Sequence, residues 1–184
     1  MGFIFSKILN LLHASKYYKV LMLGLDYSGK TTILNNIKNK ESVRTIYNIG
    51  YYIENLFYMG LIKIVSWNLG GDSGMRKLFK KYYPNTDGII LVIDSNDKER
   101  FDDAIECFQK ILEGDELKNC PILITANKQD MNETLSTDEI ALFLRDEKYN
   151  DRKWCIIKTS GINGQGLEES MQWMASAIGA IKEK

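Results

Sequence analysis

Gly24-Leu25-Asp26-Tyr27-Ser28-Gly29-Lys30-Thr31-Thr32 fits the pattern G-x-x-x-x-G-K-[ST]. An apolar, β-rich run at 19–23 precedes it and a segment of helical period at 30–39 follows, which is the strand-to-helix setting that this loop needs. Its glycines let main-chain amides turn inward around phosphate oxygens, and the helix start presents its positive end to the same point. Lys30 adds a point charge, and the Thr31 hydroxyl can ligate Mg2+. The candidate phosphate-binding residues are therefore Gly24, Asp26, Gly29, Lys30, Thr31 and Thr32.

Outward from this loop, short β-rich runs alternate with helical segments. Strands are expected at 19–23, 51–58, 61–67, 88–94, 121–126 and 154–158, and helices at 30–39, 75–83, 97–113, 136–145 and 167–182. Asp94-Ser95-Asn96-Asp97 offers cap chemistry for the helix at 97–113, and Ser136-Thr137-Asp138-Glu139 reads as a capping box. The alternation implies an α/β sheet with helices on both faces. Only Met59-Gly60 separates the second and third strands, too short for a crossover, so these two form an antiparallel hairpin. Pro84 and Pro121 fall at element edges, where proline is tolerated.

A phosphate cradle does not choose a base. After the strand at 121–126 stands Asn127-Lys128-Gln129-Asp130. A carboxylate that accepts from two adjacent donors selects guanine, whose N1 and exocyclic N2 both carry hydrogens; adenine has an acceptor at N1 and no amino group at C2. Asp130 is the discriminating residue, Asn127 can tie this loop to the phosphate loop and reach the base edge, and the Lys128 stem can lie over the ring.

Composition bounds the alternatives. The 184 residues carry 24 Lys plus Arg against 24 Asp plus Glu, so no net charge attracts nucleic acid in bulk. Cys107, Cys120 and Cys155 are widely separated in apolar stretches and read as reduced core residues. His13 is the single histidine, which leaves no material for a His-based metal site or a catalytic triad. The longest apolar runs, such as 89–93, fall far short of a membrane-spanning helix.

Membrane contact is expected instead from residues 1–16. Projected at about 100° per residue, Ile4, Phe5, Ile8, Leu9, Leu11 and Leu12 share an arc of about 160°, opposite Ser6, Lys7, Asn10 and His13. No basic leader and no small-residue cleavage site accompany it, which argues against a secretory signal. Met1-Gly2 with Ser6 fits the N-myristoylation pattern, with Gly2 as acceptor. One acyl chain binds membranes only marginally, so the amphipathic helix would supply the second contribution. The same helix could equally pack on its own domain.

These residues, together with Gly2, Thr45-Ile46, Gly50, Trp67, Gly70-Gly71 and Asp94-Ser95-Asn96-Asp97, resemble the ADP-ribosylation factor and Arf-like family of small GTPases, from the N-terminal helix to Ile181. The resemblance implies a P-loop small GTPase fold with a mixed six-stranded sheet. Residues 1–16 would form a myristoylated amphipathic helix and 17–184 a guanine-nucleotide-binding domain holding GTP or GDP with Mg2+. It further implies a switch in which GTP slides the hairpin and ejects the N-terminal helix; a shift by an even number of residues keeps each side chain on its own face. Gly71 would lend its amide to the γ-phosphate, Thr159-Ser160-Gly161 would support the base, and Tyr51, Trp67 and Tyr82 would form an effector-reading cluster. An exchange factor, an activating protein and effectors are implied as partners. So are a monomeric, cytoplasmic protein held reversibly on endomembranes such as the Golgi, and a part in vesicle or membrane trafficking.

Three positions depart from the family. Its metal-ligating switch threonine is Asn48 here, after Tyr47 where proline is usual, and an amide oxygen is still a legitimate ligand for a hard cation. The aspartate opening D-x-x-G is Asn68, and loss of such an outer-shell group typically costs about 10–100-fold in metal affinity. The water-orienting glutamine is Asp72, whose charge held about 5 Å from a phosphate charge meets about 3 kcal/mol of repulsion at an effective dielectric of about 20. The hairpin is also one residue longer between Gly50 and Trp67. Slow unaided hydrolysis is expected, with a non-hydrolysing binding module as the alternative. A P-loop kinase or ATPase is disfavoured by Asp130 and by the lack of a lid insertion.

Overall fold

The computed structural model describes residues 17–40, 46–47, 54–58, 62–68, 80–142 and 151–179. The expectations for residues 1–16, Gly2, Asn48, Tyr51, Gly71 and Asp72 lie outside the described residues.

Seven strands form one sheet in the order β2-β3-β4-β1-β5-β6-β7. They are β1 (Tyr18–Gly24), β2 (Ile46–Tyr47), β3 (Glu54–Tyr58), β4 (Ile62–Asn68), β5 (Gly88–Asp94), β6 (Ile122–Asn127) and β7 (Trp154–Lys158). The six expected strands are all present, and the two-residue β2 extends the edge. The run β4-β1-β5-β6-β7 is parallel, while β3 pairs antiparallel with β4 in the expected hairpin, Tyr58 opposite Ile62.

Alternation along the central strands builds two cores. Val20 and Met22 of β1, with Ile90 and Val92 of β5, pack on α1 (Lys30–Lys40) and on the C-terminal helix Leu167–Ala177 through Ile33, Leu34, Ile37, Met171 and Met174. Leu21, Leu23, Ile89, Leu91 and Ile93 point the other way, onto α2 (Phe101–Leu112) and onto Ile140 of α3 (Thr137–Ala141). The C-terminal helix is α4. Strands covered on both faces read as unbroken apolar runs, as Gly88–Asp94 does. Phe108 is fully buried at the centre of the second core, where such a side chain stabilises by about 1.5–3 kcal/mol.

Ser136 caps α3 in a full capping box. Its hydroxyl accepts from the Glu139 amide at 3.2 Å, and Glu139 accepts from the Ser136 amide at 2.8 Å. That bond holds the Glu139 carboxyl below its usual range. The cap expected for α2 is corrected: α2 starts at Phe101, four residues later than read, and its N-cap Arg100 makes no side-chain cap bond. Asp94 Oδ1 instead accepts from the Asn96 amide at 3.0 Å and Asp97 Oδ1 from the Arg100 amide at 3.2 Å. Short polar side chains that bond their own backbone in this way compete with helix formation. Of the helix expected at 75–83, the described part is a 3-10 turn at Lys80–Tyr82.

The three cysteines are free. Burial pushes the Cys120 thiol up to about 11, so it stays protonated and inert, as a core residue should. No helix among the described residues is long and apolar enough to cross a membrane.

Candidate functional site

Parallel pairing brings the carboxyl ends of five strands to one edge: Gly24 lies opposite Asn68, Asp94 opposite Asn127, and Ala126 opposite Lys158. In open α/β sheets ligands bind in the crevice outside these ends, where the strand order reverses, and here β4 and β5 flank β1. The residues after Gly24 and after Asn127, together with 159–161, all emerge at this edge.

The glycine-rich loop is shaped by close approach. A Cβ on Gly24 would lie 2.5 Å from the Val92 carbonyl oxygen, and one on Gly29 would lie 2.3 Å from Asn127 Nδ2. Gly29 also stands at φ 97, open to glycine at no steric cost. Helix α1 opens with Ile33 donating to the Gly29 carbonyl at 2.9 Å, so the amides of its first turn have no carbonyl of their own helix to meet. Lys30 is 5 % exposed, and its ammonium donates to the Gly24 carbonyl at 3.0 Å, the Leu25 carbonyl at 2.7 Å and Ser28 Oγ at 3.3 Å. A buried ammonium beside a helix N-terminus is a place where an anion can be received. Thr31 and Thr32 are exposed on that first turn.

Asn127 is the joint of the site. It is buried, donates from Nδ2 to the Ser28 carbonyl at 2.8 Å, and accepts at Oδ1 from the Gly161 amide at 3.0 Å and Thr159 Oγ1 at 3.4 Å. One amide thus links three loops, and its expected tie to the glycine-rich loop is present. Gln129 donates its amide to the Thr159 carbonyl at 3.1 Å, which fixes the turn that carries the exposed Asp130. Lys128, at φ 66, pairs through Nζ with Asp94 Oδ2 at 2.5 Å. Ser160 is buried, with its amide on the Gln165 carbonyl at 3.1 Å and its hydroxyl accepting from the Asn163 amide at 3.3 Å, so it shapes the loop that delivers Gly161.

Truncating Asn127 to alanine leaves the Ser28 carbonyl and the Gly161 amide buried without their partner. At about 1–3 kcal/mol per orphaned group, the two together mean that Asn127→Ala should lose roughly 2–6 kcal/mol of stability. Urea denaturation of the two proteins measures it.

Asn36 escaped the sequence reading, although its Nδ2 donates to the Gly161 carbonyl at 3.2 Å and the Ile162 carbonyl at 3.3 Å and so anchors the third loop to α1. An amide on a helix face gives no signal of such a contact. Arg100 escaped it too: its guanidinium reaches the Asp26 carbonyl at 3.4 Å while paired with Asp97, and the Asp97 hydrogen bond raises its already high pKa.

Of the three aromatic candidates, Tyr82 is half-buried against the α2-side core, and its carbonyl accepts from Lys19 Nζ at 2.5 Å and Thr86 Oγ1 at 2.9 Å. Only the backbone of Trp67 is described, in β4 opposite Leu23. Among the described residues no cluster of three or more His, Cys, Asp or Glu could hold a metal. The exposed Thr31 hydroxyl at the head of α1 is of the oxygen type that a hard cation such as Mg2+ takes as ligand.

The ADP-ribosylation factor family matches residues 5–178, and the chain belongs to that family. ADP-ribosylation factor 3 of Arabidopsis thaliana is 39% identical over 178 residues, covering 97% of this chain and 97% of the plant protein. ADP-ribosylation factor K of Dictyostelium discoideum is 41% identical over 174 residues, covering 95% and 92% respectively. Among solved structures, the Arl6 (BBS3) small GTPase of Trypanosoma brucei, with the bound nucleotide analogue GppNp, superposes with a TM-score of 0.73 at 28% identity, covering 90% of this chain and 99% of that one. The P-loop small GTPase fold, with its mixed sheet, is thereby established.

Proposed function

We propose that this protein is a membrane-associated guanine-nucleotide switch of the Arf or Arf-like type, binding GTP and GDP and hydrolysing GTP slowly when unaided. The observation that carries the reading is the Asn127 side chain, which fastens the glycine-rich loop to the turn bearing Asp130 and to the 159–161 loop. A phosphate cradle and a guanine-selecting carboxylate are thereby held on one rigid edge.

In this reading the amides of Gly29 to Thr32 and the Lys30 ammonium hold the phosphates, with Asp26 and Gly24 shaping the loop. Asp130 takes the two guanine donors, the Lys128 stem covers the ring, Ser160 and Gly161 back the base, and Gly71 lends its amide to the γ-phosphate. Mg2+ supplies charge neutralisation at the phosphates when bound, with Thr31 and Asn48 as its protein ligands, and Asn68 weakens that hold. Gly2 carries the acyl chain, residues 1–16 add the apolar membrane contact, and Tyr51, Trp67 and Tyr82 read effectors. Exchange factors and activating proteins would drive the cycle of a monomer that resides reversibly on an endomembrane such as the Golgi and serves trafficking.

A second reading is motivated by Asn48, Asn68 and Asp72 together: a nucleotide-stabilised binding module without turnover. Single-turnover hydrolysis separates the two. The switch reading predicts measurable wild-type hydrolysis and about a tenfold gain in Asp72→Gln, since general base and water-positioning groups contribute on the order of 10²–10⁴-fold when fully in place. Hydrolysis absent from both proteins, even with a family activating protein added, would favour the module.

A further inference from the structure

The segment from the last residue of β5 to the start of α2, residues 94–100, touches both loops of the site. Toward the base-side loop, Asp94 Oδ2 meets Lys128 Nζ at 2.5 Å, the Ser95 amide donates to the Asn127 carbonyl at 3.0 Å, and Asn96 Nδ2 donates to the Asn132 carbonyl at 3.1 Å. Toward the phosphate-side loop, Arg100 Nη2 donates to the Asp26 carbonyl at 3.4 Å, while its Nε is held on Asp97 Oδ2 at 2.7 Å. The Asp94 side chain is 13% exposed and that of Asp97 22%, so both carboxylates are largely withdrawn from solvent.

The Arg100 contact has a directional consequence. Asp26 C=O and Tyr27 N–H belong to one planar trans peptide, in which the two groups point opposite ways. A donor that holds the Asp26 oxygen toward α2 therefore turns the Tyr27 N–H away from α2. Tyr27 stands at φ 65 and is 85% exposed, so side-chain packing does not hold this turn in place. The left-handed conformation costs an ordinary residue about 1–2 kcal/mol. The turn is closed from within by the Ser28 amide on the Leu25 carbonyl at 3.2 Å, and Arg100 adds a hold from outside the loop through the Asp26 carbonyl.

We propose that residues 94–100 form a bracket, in which Arg100 is a positioning residue for the phosphate loop and Asp94 for the guanine loop, the two contacts fixing the spacing between phosphates and base. This rests on the nucleotide-binding reading above. Asp94 restrains Lys128 at the base, so its loss should blur base recognition, whereas Arg100 acts on the phosphate side through its hydrogen bond to the Asp26 carbonyl.

The test uses the full-length chain loaded with fluorescent GDP, its release rate, and competition of GDP against IDP, which lacks the exocyclic amino group. Arg100→Met should release GDP about tenfold faster, the worth of one charge-assisted hydrogen bond, with its GDP-over-IDP preference unchanged. Arg100→Lys, which keeps a donor and a positive charge, should recover most of that loss. Asp94→Asn, which keeps the acceptor for the Asn96 amide, should lower the GDP-over-IDP preference about tenfold. Wild-type release from Arg100→Met together with an unaltered base preference in Asp94→Asn overturns the bracket while leaving the switch reading intact. So does an Arg100→Met defect that Arg100→Lys fails to relieve, since a merely structural loss behaves that way. A wild-type protein that binds neither GDP nor IDP overturns the bracket and the switch reading together.

Discussion

Lys30→Met should leave the protein unable to retain GDP. Lys30 is buried, and its ammonium rests on two carbonyl oxygens and one hydroxyl of the loop it closes. An ammonium in that setting is stabilised by an incoming anion far more than a solvated one would be. Hydrogen bonds to charged groups are worth about 1.5–3 kcal/mol each. Loss of two phosphate contacts therefore costs about 3–6 kcal/mol, or roughly 10²–10⁴ in Kd. Thermal denaturation with and without GDP reads this directly. Ligand at about 100 times Kd stabilises a protein by about 2.7 kcal/mol, and that shift should vanish in Lys30→Met. A variant still stabilised by GDP to the wild-type extent would remove Lys30 from the phosphate site.

Asp130→Asn should turn the base preference from guanine to xanthine. A carboxylate can accept from both N1–H and N2–H of guanine, whereas an asparagine amide offers one acceptor and one donor. Xanthine presents N1–H beside a carbonyl oxygen at C2, the matching pattern, while the guanine amino group would face an amide N–H. A polar site faced with a mismatched partner rejects it strongly, because its groups are left unpaired. GDP affinity should fall about 100-fold or more, with XDP gaining in its place. Asp130 is exposed, so the substitution places no buried group at risk and the fold should be unaffected. Competition of GDP and XDP for the variant measures the inversion, and an unchanged preference for GDP would place base recognition elsewhere.

Much of this was legible in the residues themselves. The alternation that yields six of the seven strands is carried by apolar runs such as Gly88–Asp94, which stand out because both faces of the sheet are covered, whereas the two-residue β2 at Ile46–Tyr47 has no such run. The glycine-rich loop declares itself because its glycines answer local constraints, a close approach at Gly24 and a positive φ at Gly29. The capping box at Ser136 is likewise a contact between residues three apart.

What escaped was either long-range or a contest between two local options. The Asn36 and Arg100 contacts join residues 125 and 74 positions apart, and neither side chain departs from an ordinary polar residue in its own segment. The start of α2 was misplaced because Asp94 and Asp97 can serve a helix cap or a turn equally well in sequence. In the fold, the salt bridge from Lys128 engages Asp94 and the guanidinium of Arg100 engages Asp97, so the carboxylates serve the turn. Tyr27 stands at φ 65 in a loop whose pattern leaves its position open, so nothing in the sequence signals that conformation.

The central claim is that one edge of this sheet selects a guanosine phosphate. Calorimetric titration of the full-length folded chain with GDP, and separately with ADP, tests it most directly. GDP should bind saturably, with ADP weaker by about 100-fold or more, as expected where an aligned polar pair is lost on the wrong base. No heat from GDP or GTP at millimolar concentration, or ADP bound as tightly as GDP, would contradict it.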